Sequence, residues 1–202
     1  MDIKNIFTNI YKTNKWNSKE SISGTGSELK VTENLRKELP TIINDLNIKS
    51  ILDLPCGDFN WMSKVDLKGV KYIGADIVED LIEKNKIKYP NIEFKVLDLV
   101  NDILPKVDLI IVRDCFVHLT YENIFKSLKN IKNSGSKYLI TTSFIDKNNK
   151  DLISNGDWRS LNLLNPPFNL TKYIKIINDG DIKHYGEKHK DKSMILYEIN
   201  SI

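Results

Sequence analysis

Arginine is nearly missing from this chain: of its 30 Lys and Arg residues only Arg36, Arg113 and Arg159 are arginine. The net charge of +3 is carried by scattered lysines, and Ile and Asn are abundant alongside them. No basic arm or stripe is present, so a nucleic-acid partner is not expected. Cysteine is equally scarce. Two residues, Cys56 and Cys115, cannot build a disulfide framework, and a reducing compartment is the simpler setting. No apolar run approaches the roughly 20 residues of a membrane span. The first residues lack a basic-then-apolar leader. These absences make a cytoplasmic protein without a membrane partner the expectation. At 202 residues and 41% hydrophobic content the chain is ample for one domain and short for two.

Periodicity orders the chain. Ile3, Ile6, Phe7, Ile10 and Tyr11 have the spacing of an amphipathic helix, placed either over a sheet or across an active site. A polar loop, 17–27, holds Gly24 and Gly26. A second helical pattern through Val31, Leu35, Leu39, Ile42, Ile43 and Leu46 meets Pro40, which is expected to kink it or to start a new helix. Strands at 50–54, 72–75, 93–97, 109–112 and 138–142 then alternate with helices at 78–89 and 121–132. After Phe144 a long polar segment precedes two last strands, at 173–177 and 194–199. Alternation of this kind predicts an α/β fold with a mostly parallel sheet and helices on both faces.

Three of the strands end on an acid: Asp53, Asp76 and Asp98. In an open α/β sheet, ligands bind outside the carboxyl ends of the strands, where strand order reverses. Carboxylates there hydrogen-bond hydroxyls and amines, and a nucleoside carries both. Local alternatives remain: Asp76 capping the helix near Val78, Asp98 ending a strand in a turn, and Asp58 capping a helix.

These residues resemble the class I S-adenosylmethionine-dependent methyltransferases, from about Trp16 to Phe168. Asp53-Leu-Pro-Cys-Gly57 is similar to the family's first motif, with Pro55 and Phe59 where its fullest form has glycine. The resemblance implies a doubly wound, seven-stranded, mostly parallel sheet with a closing antiparallel strand. It also implies one methyltransferase domain over 1–202, with 1–46 as a helical cap and loop and 50–202 as the cofactor-binding sheet. It assigns S-adenosyl-L-methionine as cofactor, held by Asp53, Pro55 and Gly57, by Asp76 and Ile77 at the ribose, and by Asp98 and Leu99 near the adenine. The stretch 53–61, with Ser23-Gly-Thr-Gly-Ser27 ahead of it, is similar to a subgroup met beside glycan-assembly enzymes, which makes a sugar or other small-molecule hydroxyl the expected acceptor.

The resemblance places the end of strand four, Arg113-Asp114-Cys115-Phe116-Val117-His118, beside the methyl group. Asp114 and His118 are then candidates to orient or deprotonate the acceptor, since an imidazole of ordinary pKa about 6.5 suits that task; packing against the cofactor is the plainer role for His118. Trp16, Arg113, Trp158 and Arg159 are candidate acceptor-binding residues, aromatic faces and a guanidinium being suited to a polar ring. Loop 23–27 either wraps an anion with backbone amides or is simply mobile. Cys56, Cys115 and His118 lack a recognised zinc spacing, and no metal is expected.

Asn165-Pro-Pro-Phe168 matches a motif with which other methyltransferases hold a planar amine, yet it follows strand five rather than strand four. A rigid Pro-Pro loop with an aromatic anchor is favoured, and N-methylation of adenine or a similar amine is the alternative. A nicotinamide enzyme would need Gly-x-Gly-x-x-Gly after strand one, which is missing. A non-catalytic cofactor- or partner-binding module stays open.

Overall fold

The computed structural model describes residues 2–180 and 189–202. Helix α1 (Ile3–Lys12) is followed by loop 13–32 and helix α2 (Glu33–Asp45). Then come β1 (Ser50–Asp53), β2 (Lys71–Asp76), α3 (Glu79–Lys88), β3 (Glu93–Val96), β4 (Leu109–Val112), α4 (Tyr121–Asn133), β5 (Tyr138–Phe144), β6 (Lys175–Asn178) and β7 (Lys192–Glu198). Every expected strand and helix forms, with ends shifted by a few residues.

The seven strands form one sheet in the order β3-β2-β1-β4-β5-β7-β6. β1 to β5 are mutually parallel, while β7 runs antiparallel to both β5 and β6. Strand order reverses between β1 and β4, which opens a crevice at their carboxyl ends. Because β7 is antiparallel, its first residue, Lys192, pairs with the last residue of β5, Phe144, and reaches that same edge.

Alternation along the strands sorts the core onto two faces. Leu52, Ile110 and Leu139 pack with Ile124 and Ile131 of α4 on one side. Ile51, Leu109, Ile111 and Ile140 pack with Leu35, Leu39, Ile42 and Ile43 of α2 on the other. Helix α2 runs from Glu33 to Asp45 with Pro40 inside it, so no new helix starts there. A helix-interior proline costs about 3 kcal/mol. Burial of four large apolar side chains, at about 1.5–3 kcal/mol each, outweighs it. Among the described residues, no helix is long and apolar enough to cross a membrane.

Candidate active site

Two adjoining cavities, of about 130 Å³ and 210 Å³, open at the crevice. The first is floored by Leu54, Pro55, Cys56 and Gly57 after β1, flanked by Asp76, Ile77, Asp98 and Leu99, and roofed by Ile3, Phe7 and Tyr11. Helix α1 therefore closes the site, the second of its two expected placements. Its apolar stripe serves both the cavity and the core, against which Ile3 and Phe7 also pack.

Asp76 is the buried acid of this cavity. Its Oδ2 accepts from the Gly57 amide at 3.2 Å and its Oδ1 from the Val78 amide at 3.0 Å. A carboxylate has about four lone-pair sites, so each oxygen keeps capacity for a ligand hydroxyl. Burial pushes its pKa up to about 6, although the amides of Val78, Gly57 and Ile77 pull the other way. Those bonds tie the ends of β1 and β2 together rather than cap α3, whose N-cap is Val78. Asp98 faces the cavity from the end of β3, with Oδ1 accepting from Val100 N and Oδ2 from the Asn101 amide group. Its local turn and its place in the cavity wall coexist.

Asp53 is a different case. It is 1% exposed, does not line either cavity, and accepts from the Tyr72 hydroxyl at 2.7 Å. Burial raises its pKa to about 7, more than the Tyr72 bond and Arg113 lower it. The acid supports the loop from behind and does not reach into the cavity.

Gly57, at φ +54°, lies under loop 21–27. A Cβ there would fall 2.0 Å from Ser23 Oγ, so only glycine lets the two segments meet. Asp58 secures the contact: it accepts from Ser21 Oγ at 2.9 Å and from the Ile22 amide at 3.0 Å, while its own amide donates to Ser23 Oγ at 3.0 Å. Asp58 is thus the anchor of the glycine-containing loop, not a helix cap, and the loop is fixed in place.

The second cavity is lined by Trp16, Ser23, the backbone around Gly24 to Gly26, Asp114, His118, Phe144, Trp158, His189 and Lys192. Trp16, Ser23, Asp114 and His118 line both cavities and form their common wall. His118 ends a short 3₁₀ turn (Phe116–His118) after β4. Its Nδ1 lies 2.8 Å from the Asp157 carbonyl oxygen, which only accepts, so Nδ1 carries the proton and Nε2 has the lone pair. Trp16 stacks over the ring at 5.2 Å. Burial lowers the His118 pKa, beyond the opposing pull of the Asp157 carbonyl and Asp114. The imidazole is neutral near pH 7.

Asp114 sits at φ +51° just past β4. Lys192 Nζ meets its Oδ2 at 2.7 Å, and Arg113 Nη1 meets the same oxygen at 3.2 Å. Burial would raise its pKa, but Lys192 and Arg113 overcome that and hold it at about 2. Held low in this way, Asp114 suits orientation of an acceptor better than its deprotonation. Arg113 is the partner that holds it. The guanidinium also binds buried Asp179 at 2.9 Å and packs over Trp61, so its charge serves the protein's own acids.

Arg159 lines neither cavity. Its Nη1 and Nη2 donate to the carbonyls of Phe116 and Leu119 at 2.9 and 2.8 Å, clamping the turn that carries His118. The expectation that Arg159 binds the acceptor is corrected accordingly. Trp158, half-exposed, does wall the second cavity. Asn165 to Phe168 line neither cavity: Asn165 bonds to the Lys147 carbonyl, and Phe168 packs between Tyr121 and Phe125. Burial pushes the thiols of Cys56 and Cys115 up. Among the described residues, no group of three His, Cys, Asp or Glu could hold a metal ion.

Lys192, Asp179 and His189 are the residues that sequence reading missed. One lysine among 27 carries no mark, and strand seven was expected to begin at Met194, two residues too late.

No family model matches the chain. It is 27% identical over 155 residues, 74% of its length, to "Putative methyltransferase 235L" of Invertebrate iridescent virus 6, and spans 57% of that protein. Among solved structures, magnesium protoporphyrin IX methyltransferase from Synechocystis PCC 6803 superposes with a TM-score of 0.67 at 14% identity, covering 98% of this chain and 97% of that one. The fold is that of the class I S-adenosylmethionine-dependent methyltransferases. Human N-acetylserotonin methyltransferase shares it with a TM-score of 0.66 at 14% identity, over 98% of this chain and 60% of that one. A methyltransferase from Clostridium acetobutylicum does so with a TM-score of 0.59 at 14% identity, over 84% and 91%. The first cavity opens at the carboxyl ends of the parallel strands, where strand order reverses, and its residues fit a nucleoside. Asp76 offers spare acceptor sites to a ribose diol, and Ile77, Leu97 and Leu99 supply apolar walls for a planar base.

Proposed function

We propose that the chain is a methyltransferase that uses S-adenosylmethionine to methylate a hydroxyl of a sugar or sugar-like small molecule. The observation that carries this reading is the wall of Trp16, Ser23, Asp114 and His118 shared by the two cavities, in which His118 is neutral and presents Nε2 as a base. When bound, S-adenosylmethionine supplies an electrophilic methyl group and needs no redox partner.

Asp76 would hold the ribose from the first cavity, with Asp98 and Leu99 beside the base. Trp16 and Trp158 offer flat apolar faces to a ring in the second cavity. Asp114, held as a carboxylate by Lys192 and Arg113, accepts a hydroxyl hydrogen bond and orients the acceptor. His118 Nε2, with Nδ1–H fixed on the Asp157 carbonyl, would take the proton of the reacting hydroxyl. A general base of this kind contributes about 10²–10⁴-fold in rate.

Transfer of labelled methyl from S-adenosylmethionine, assayed side by side on nucleotide sugars, free glycans and oligonucleotides, tests the reading. Label on a sugar hydroxyl is the expected outcome. Label on adenine N6 or another amine would overturn it.

A further inference from the structure

Four charges converge at the edge of the second cavity: Arg113 after β4, Asp114 beside it, Asp179 after β6 and Lys192 at the start of β7. Lys192 Nζ bridges Asp114 Oδ2 at 2.7 Å and Asp179 Oδ2 at 3.1 Å. The side chains of Asp179, Arg113 and Lys192 are almost fully covered, at 0%, 4% and 7% exposure, whereas that of Asp114 is 28% exposed. The charges sum to zero, so the cluster does not select an anion. Among the described residues it presents an unused donor beside an unused acceptor. An ammonium has three N–H groups, and two of those on Lys192 are engaged. Asp114 Oδ1 receives one long bond, from Thr142 Oγ1 at 3.3 Å, and keeps further lone-pair capacity.

Gly26 keeps this pair uncovered. A Cβ at that position would lie 3.0 Å from Asp114 Oδ2 and 3.9 Å from Lys192 Nζ. Any side chain at residue 26 would therefore crowd the pair. Trp16 and Trp158 stand in the same cavity as faces for a ring, and His118 borders it as the base.

Resting on the methyl-transfer reading above, we propose that Asp114 and Lys192 read two neighbouring hydroxyl groups of the acceptor, one donating to the carboxylate and one accepting from the ammonium. The acceptor is then a vicinal diol on a single ring. Lys192 is a specificity-determining residue, and the methyl is placed on the hydroxyl next to His118. A lone hydroxyl would meet only one of the two spare hydrogen-bonding positions, which is the source of discrimination.

The test uses the whole chain saturated with S-adenosylhomocysteine, titrated with the methyl α-pyranosides of glucose, mannose and galactose and with their monodeoxy counterparts, followed by ligand-observed saturation-transfer NMR. At least one intact pyranoside is expected to bind, and removal of either hydroxyl of one adjacent pair should weaken it by about tenfold or more. Lys192→Met should weaken the intact sugar by a similar factor and its deoxy analogue much less, with affinity for S-adenosylhomocysteine unchanged. Should Lys192→Met fail to fold, Gly26→Ala, which leaves all four charges in place, should produce the same selective loss. Binding by no pyranoside, equal binding by the monodeoxy sugars, or sugar binding indifferent to both substitutions would overturn the proposal. Efficient methylation of a monohydric alcohol would sink the diol while sparing hydroxyl methylation; methylation of amines alone would sink both.

Discussion

The His118 ring gives its Nδ1 proton to the Asp157 carbonyl oxygen at 2.8 Å, so the tautomer of the one imidazole bordering both cavities is set by backbone rather than by an acid. A backbone acceptor leaves the ring neutral when its Nε2 is free to act. His118→Ala should bind S-adenosylhomocysteine normally and lose about 10²–10⁴-fold in kcat. The pH profile carries the sign. Burial lowers the His118 pKa, so the base stays deprotonated below the ordinary value of 6.5 and the acid limb of kcat/KM should fall below that pH. A limb centred above 6.5, or full turnover by the alanine variant, would return His118 to packing alone.

Asp76 makes cofactor affinity depend on pH in its own way. Hydrogen bonds from a ribose diol favour the carboxylate, whereas burial pushes this acid's pKa up to about 6. Affinity should be constant above pH 7 and weaken as pH falls through 6. Asp76→Ala should weaken binding by about 2–4 kcal/mol, the range for two hydrogen bonds to a charged group after partial compensation. Calorimetry on a folded variant decides it, and unchanged affinity would detach Asp76 from the ribose.

Asp53 should affect stability more than binding. Its pKa is raised from 3.8 to about 7, so the folded protein holds a proton that the unfolded chain releases above pH 4. Its stabilising contribution is present in full below pH 3.8 and is lost as pH rises through 7. Asp53→Asn keeps an acceptor for the Tyr72 hydroxyl and removes the buried charge. It should raise stability at pH 8 by about 2–4 kcal/mol and flatten the pH dependence between 4 and 7. Urea unfolding at several pH values measures both, and a destabilised Asn variant at pH 8 would show that the charge is needed.

The sheet was legible because strands alternate with helices and end on acids, signals that act within a few residues of one another. Asp76 and the 53–57 loop could be found for the same reason. Lys192 and Asp179 could not, since they reach the site only through the antiparallel return of β7, which no local pattern announces. Arg159 misled for a related reason: a guanidinium beside Trp158 suits a ligand, but buried carbonyls of Phe116 and Leu119 took its donors first. Pro40 starts no new helix because packing of α2 offsets a propensity cost of about 3 kcal/mol.

Arg159 should accordingly behave as a positioning residue. Arg159→Met would leave the Leu119 carbonyl without a donor among the described residues and the Phe116 carbonyl with only the Leu119 amide at 3.2 Å, and bonds from a charged group contribute about 1.5–3 kcal/mol each. A loss of stability of that order is expected, together with a fall in kcat that exceeds any change in acceptor KM, because the turn bearing His118 loosens. A rise in KM alone would restore Arg159 to the acceptor site.

Asn165 separates hydroxyl from amine chemistry. In the amine-methylating motif the asparagine must reach the acceptor, yet here its side-chain amide donates to the Lys147 carbonyl and its segment lines neither cavity. The neighbouring Phe168 is spent on Tyr121 and Phe125. Asn165→Ala should therefore leave cofactor affinity unchanged and methyl transfer within about twofold, with a stability cost near 1 kcal/mol for one lost hydrogen bond. Binding to oligonucleotides should be weak and nearly independent of salt, since no basic stripe is available to displace counterions from phosphates. Label on adenine N6 that disappears with Asn165→Ala would make 165–168 the catalytic segment, and would require that segment to leave Tyr121 and Phe125 and turn toward the cofactor cavity.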